Sequence, residues 1–195
     1  MMSYFKWWLI LPALLMACMP PTDVKSSRTS VGLPDLPNIY SSIKRYEAED
    51  ALSPGKGTQA SKIAVLIDDK DASGGKALRF ATTSPAPVGY VVMWGPYETL
   101  PAGDYVAIYR LKVSDNNFVM PMLALQVTAQ NAQQASPQVI SKIDLIGKSF
   151  PEQERYFLFT LPFRLDGEAR VEMRILWYTL TDLDVDYRSI ATPLP

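Results

Sequence analysis

The side chains of this chain best suited to chemistry are carboxylates. In "KRYEAED", residues 44–50, Glu47 and Glu49 stand two positions apart. On a β-strand, alternation would put both on one face, about 7 Å apart. Like charges that close repel, and strands disfavour acids, so the pair needs a reason. One reason is catalysis, since a glycosidase sets two carboxyl groups roughly 5 to 9.5 Å apart across a sugar. Such acids need environments that separate their pKa values, and neighbours on one short strand offer little of that. Another is a hard cation. Calcium takes roughly six to eight oxygens from carboxylates, carbonyls and water, and turns the repulsion into shared attraction. Asp184 and Asp186 in "LDVDYRSI", and carbonyls of the turn "DDKDASGG", are candidate partners. The third is plain solvation of two strand faces.

Composition removes most other chemistry. The 195 residues include no histidine and one cysteine, Cys18. Serine–histidine triads, imidazole acid–base work, histidine or cysteine zinc sites and internal disulfides are therefore excluded. No G-x-S-x-G, Walker or G-x-G-x-x-G pattern occurs. Lys and Arg number 19 against 20 Asp and Glu, without a basic run, so nucleic acid is not an expected partner.

The elements that would position the acids start well into the chain. "MMSYFKWWLILPALLMAC" has one lysine, an apolar run from Trp7 to Ala17, then the lone cysteine. The run is too short to span a bilayer and fits a signal-peptide core. "LMAC" resembles a bacterial lipobox with Cys18 as the lipid-bearing residue. That resemblance implies a signal peptide over 1–17, diacylglycerol on the Cys18 thiol and a further acyl chain such as palmitate. Two chains hold a protein stably at a membrane where one does not. Met19, rather than Asp, follows the cysteine, which in a Gram-negative cell leans towards the outer membrane. Residues 18–42 are rich in Pro, Ser and Thr and read as a tether.

From residue 43 to 195 the pattern is alternation. Tyr105, Ala107, Tyr109, Leu111 and Val113 fall on one face, with Arg110 and Lys112 on the other. Phe157, Phe159, Leu161 and Phe163 share a face, as do Val171, Met173, Ile175 and Trp177. Leu183, Val185 and Tyr187 oppose Asp184, Asp186 and Arg188. Weaker segments run over 62–67, 77–82, 88–94, 122–129 and 139–146, separated by turns such as "SPGKG", "TSPAP" and "RLDGEA". About nine or ten short one-faced strands predict an all-β domain, an antiparallel β-sandwich or jelly roll.

"YEAEDA", then "ASGGKALRF", "GPYETLPAGDYVAIYRLKV" and a terminal "LDVDYRSI" together resemble the galactose-binding-like β-sandwiches. The resemblance is to carbohydrate-binding modules of families six and thirty-five and covers about residues 43–190. It implies a structural calcium held by Glu47, Glu49 and Asp186, with Asp184 the weaker choice. It also implies a non-catalytic sugar site built from aromatics and amides in loops. The candidates are Tyr90, Trp94 and Tyr97 in "GYVVMWGPY", Asn116 and Asn117 in "SDNN", and Trp177 with Tyr178. Trp177 has the inward face of its strand against it, and the asparagines serve a turn equally well. The expected partners are a membrane, through Cys18, and a glycan or an envelope protein. The expected location is the bacterial cell envelope.

Overall fold

The computed structural model describes residues 32–33, 38–53 and 55–194. Cys18, the signal peptide and most of the tether lie outside them.

Among the described residues, twelve strands form two six-stranded antiparallel sheets. They are β1 (Tyr40–Glu47), β2 (Gln59–Ala60), β3 (Val65–Asp68), β4 (Lys76–Phe80), β5 (Tyr90–Trp94) and β6 (Pro96–Leu100). Then come β7 (Gly103–Val113), β8 (Leu123–Gln130), β9 (Gln138–Leu145), β10 (Phe157–Leu165), β11 (Ala169–Trp177) and β12 (Leu183–Pro193). In the first sheet the order is β10-β7-β12-β4-β3, and β1 also pairs with β12. In the second it is β2-β5-β11-β8-β9, and β6 also pairs with β11. Strands β9 and β10 lie against each other at one side of the sandwich, where the Ser141 hydroxyl donates to the Pro162 carbonyl at 2.8 Å. Upstream of β1, Leu33 bridges Leu158 at the open edge of β10 through bonds of 2.9 and 2.7 Å.

The inward faces are those the alternation predicts. Alternate residues of β7 from Tyr105 to Val113, of β10 from Phe157 to Leu165 and of β11 from Ala169 to Trp177 meet in one core between the sheets. Trp177 is fully buried, and its indole N–H donates to the Thr181 carbonyl at 2.8 Å. Burying each large apolar side chain contributes roughly 1.5–3 kcal/mol against conformational entropy. The extra strands beyond the expected count, β2 and β6, are short edge pieces without an alternation to read.

Two local expectations fail. The strand carrying Glu47 does not continue to Glu49, because β1 ends at Glu47 and a 3₁₀ turn covers Ala48–Leu52. Ala48 and Ala51 are buried three residues apart, the spacing that lines one side of a 3₁₀ turn. Tyr187 does not share the inward face of Leu183 and Val185. A bulge between Val185 and Tyr187 shifts the register against β7 and turns Arg188 and Ile190 inward instead.

Candidate functional site

The acids lie on the outer face of the first sheet, beneath the turn over residues 68–75. Strand β12 carries Asp184 and Asp186 outward beside Lys112 and Arg110 of β7, so opposite charges line up across neighbouring strands. Asp186 is fully buried. It accepts from the Ser73 amide at 3.1 Å on each oxygen and from the Ser73 hydroxyl at 2.7 Å, and it pairs with the Arg110 guanidinium. Arg110 also donates to the Asp71 carbonyl at 3.1 Å. Glu47 is gripped by Arg45, at 2.6 Å to one oxygen and 3.1 Å to the other. Arg45 reaches the Ser73 hydroxyl as well and lies 3.7 Å over the Tyr187 ring. Glu49 faces Gly74, and its Oε2 is buried without a hydrogen-bond partner.

Asp184 belongs to a second, adjoining ionic group. Arg79 holds it in a fork, with two bonds of 2.7 Å, and Lys112 sits 3.0 Å away. Lys112 also pairs with Asp69, which accepts from the Tyr156 hydroxyl at 3.0 Å. Burial pushes the Asp69 carboxyl up, but bonds from Lys112, the Asp71 amide and Tyr156 outweigh it and hold the pKa below its usual range. Burial likewise lowers the Lys112 ammonium, and its bonds to Asp69 and Asp184 more than reverse the effect.

As arranged, these residues do not fit calcium. Asp186 and Glu47 already face cationic donors, leaving Glu49 as one carboxylate where a calcium takes roughly six to eight oxygens. Among the described residues, no group of three or more His, Cys, Asp or Glu is placed to hold a metal ion.

The aromatic candidates gather elsewhere, along the β2–β5 edge of the second sheet. Tyr90 and Trp94 are four apart on β5 and line one hollow of about 480 Å³ with Ser61, Lys62, Ile63 and Pro87. Tyr90 is 42% exposed. The Trp94 indole is fixed by Gln59, which accepts its N–H at 2.8 Å from the paired edge strand. The Ser61 hydroxyl is buried in the lining and has no partner. Tyr97 lines an adjoining hollow of about 440 Å³ beside Thr58 and Gln59, and Ala60 borders both. Tyr97 has φ +64, a left-handed conformation that costs a non-glycine residue of order 1–3 kcal/mol, and Arg170 lies 4.5 Å over its ring. Gly95, two residues before it, has φ +88, and a Cβ there would come within 2.3 Å of the Gly57 carbonyl.

Arg188 supports this edge from inside. It donates to the carbonyls of Met173 at 2.7 Å and Trp94 at 3.2 Å, to the Thr58 hydroxyl, and more weakly to the Gly95 carbonyl at 3.4 Å. Complete burial pushes its guanidinium down to about 10.

The structure does not bring the asparagines to this ledge. Asn116 donates to the Phe150 carbonyl at 2.7 Å, and Asn117 folds back on Asp115. Both border a different hollow, with Phe118 and Lys148. Tyr178 packs against the Gly89 turn beside Tyr90. Sequence reasoning missed Gln59, Ser61 and Arg188. The first two have no local pattern to mark them, and alternation pointed Arg188 outward until the bulge is known.

No protein-family model matches the chain, and no curated protein matches it. Solved structures do. One is the endo-1,4-beta-D-xylanase 10B of Clostridium thermocellum, its CBM22-1 and GH10 modules complexed with xylohexaose. It is 10% identical with a TM-score of 0.56, and the match covers 77% of this chain and 28% of that one. The CBM22-1 xylan-binding domain of Paenibacillus barcinonensis Xyn10C is 6% identical with a TM-score of 0.50, over 86% of this chain and 99% of that one. A family-six carbohydrate-binding module of Cellvibrio mixtus lichenase 5A, in complex with cellotriose, is 18% identical with a TM-score of 0.45 over 77% and 97%. The chain thus has the all-β sandwich fold of carbohydrate-binding modules.

Proposed function

We propose that this is a non-catalytic carbohydrate-binding module, tethered by lipid on Cys18 at the bacterial cell envelope, that takes a glycan on the Tyr90–Trp94 ledge. The observation carrying the reading is the hollow of about 480 Å³ that joins two aromatic rings to a buried, unpartnered hydroxyl. Sugars present an apolar C–H face that stacks on aromatic rings and hydroxyls that need oriented polar partners. Tyr90 and the Gln59-braced Trp94 offer the first, and Ser61 and Lys62 the second. A few convergent polar groups in an apolar hollow are the usual form of a ligand site. Tyr97, in its strained conformation, extends the ledge past Trp94. Catalysis by Glu47 and Glu49 has little support, because Arg45 already binds Glu47 and the two acids sit on different elements.

The test is binding of the purified protein to a glycan array that includes xylo- and cello-oligosaccharides, the ligand types named with the similar modules. Binding lost in Trp94→Ala and kept in Asn117→Ala supports the ledge. Binding kept in Trp94→Ala, or lost equally in both variants, removes it. For the lipid, mass spectrometry of the membrane-extracted protein should find acylated Cys18 as the first residue.

A second reading, contact with an envelope protein, is favoured by the loop between β7 and β8. Val119 is 89% exposed and Met120 55% exposed there. Co-purification of a partner, lost in Val119→Asp, would favour it.

A further inference from the structure

We propose that Glu47 and Asp186, two of the three acids that the resemblance assigns to calcium, are held instead by the chain's own guanidinium groups, with Arg110 in the place of a metal ion at Asp186, so that the fold needs no calcium. Arg110 Nη1 gathers one carboxylate, Asp186, and one backbone carbonyl, Asp71, the two oxygen types that a calcium ion collects. It arrives from β7, whose register places Arg110 beside Tyr187 and the bulge that displays Asp186. Its guanidinium lies 4.6 Å from the Tyr156 ring, which covers it on one side. A planar, delocalised guanidinium with directed donors suits a buried carboxylate better than an ammonium does.

Arg45 repeats the arrangement at the other end. It binds both oxygens of Glu47, reaches the Ser73 hydroxyl and rests on Tyr187. Ser73 connects the halves, since its hydroxyl accepts from Arg45 and donates to Asp186 at 2.7 Å. Together these contacts tie β1, β7, β12 and the 68–75 turn, and so join the first strand to the last, as a calcium held by Glu47, Glu49 and Asp186 would. A divalent ion would have to expel Arg110 from Asp186 and leave a guanidinium without its carboxylate. Glu49 is the one acid left over; its negative charge acts on Lys76 nearby.

The experiment compares melting temperatures of the purified protein in excess calcium and in excess EDTA, together with elemental analysis. The expected result is the same melting temperature in both and no bound calcium. Arg110→Met should melt lower by on the order of 10 °C, because it strands a buried carboxylate, and Arg110→Lys should fall between it and the unsubstituted protein. The proposal is overturned if calcium raises the melting temperature of the unsubstituted protein above its value in EDTA, or if calcium co-purifies one to one. It is overturned equally if both variants melt like the parent. Should Arg110→Met fail to fold, the calcium comparison and Arg110→Lys still decide.

Discussion

Replacing Arg188 by Met tests whether a buried cation bonded to carbonyls and a hydroxyl, with the Glu172 carboxylate acting on it only through its charge, holds the candidate ledge in place. Arg188 makes three bonds that the variant loses outright, to the Met173 carbonyl, the Trp94 carbonyl and the Thr58 hydroxyl. The long Gly95 contact adds little, because that carbonyl already accepts from the Met173 amide at 2.7 Å. A bond from a charged donor is worth about 1.5–3 kcal/mol net, so the gross loss is roughly 4–9 kcal/mol. Against this stands the cost of keeping a guanidinium fully buried, several kcal/mol, which methionine does not incur. The net destabilisation should be about 2–4 kcal/mol. In a protein of this size that lowers the melting temperature by roughly 4–16 °C. Circular dichroism melts and urea titration measure it directly. Glycan affinity should fall as well, since Arg188 bonds the backbone at Trp94 itself. A variant that melts within about 2 °C of the parent would show that burial cost and bonds cancel, and the supporting role would have to be abandoned.

Two further outcomes can be checked in the same preparations. Ser61→Ala removes a buried hydroxyl that has no partner, so stability should hold or rise by about 1 kcal/mol while glycan affinity falls; a loss of stability without a loss of binding would mean the hydroxyl serves the fold. For pH, Asp69 has a folded-state pKa below its ordinary 3.8, so its stabilisation is present above that value and is lost as the pH falls through the folded value. Asp69→Asn should flatten this acid limb in a series of melts, and an unchanged limb would refute the assignment.

The fold was legible wherever one face of a strand is buried. Alternation in β7, β10 and β11 named the core residues because a one-residue slip would turn every side chain outward. It was not legible where the register breaks. The bulge after Val185 is a backbone event without a residue signature, and it alone decides that Arg188 points in and Tyr187 does not. Likewise, "YEAED" reads as alternation until Ala48 and Ala51 are seen packing as a 3₁₀ turn. At the candidate site, "GYVVMWGPY" supplied three aromatics that do share one edge. Their polar companions, Gln59 and Ser61, come from a distant strand and the turn after it, and chain-local patterns carry no information about such pairing. The asparagines of "SDNN" looked like sugar partners by type, but their amides are spent on Phe150 and Asp115.

The bridge between Leu33 and Leu158 has a consequence for orientation. It fixes the chain upstream of β1 to the β10 side of the sandwich, where β9 and β10 meet. The Tyr90–Trp94 ledge belongs to the β2–β5 side, the far end of the second sheet's strand order. A domain held through its upstream segment is therefore gripped on one flank and offers its rings on the other.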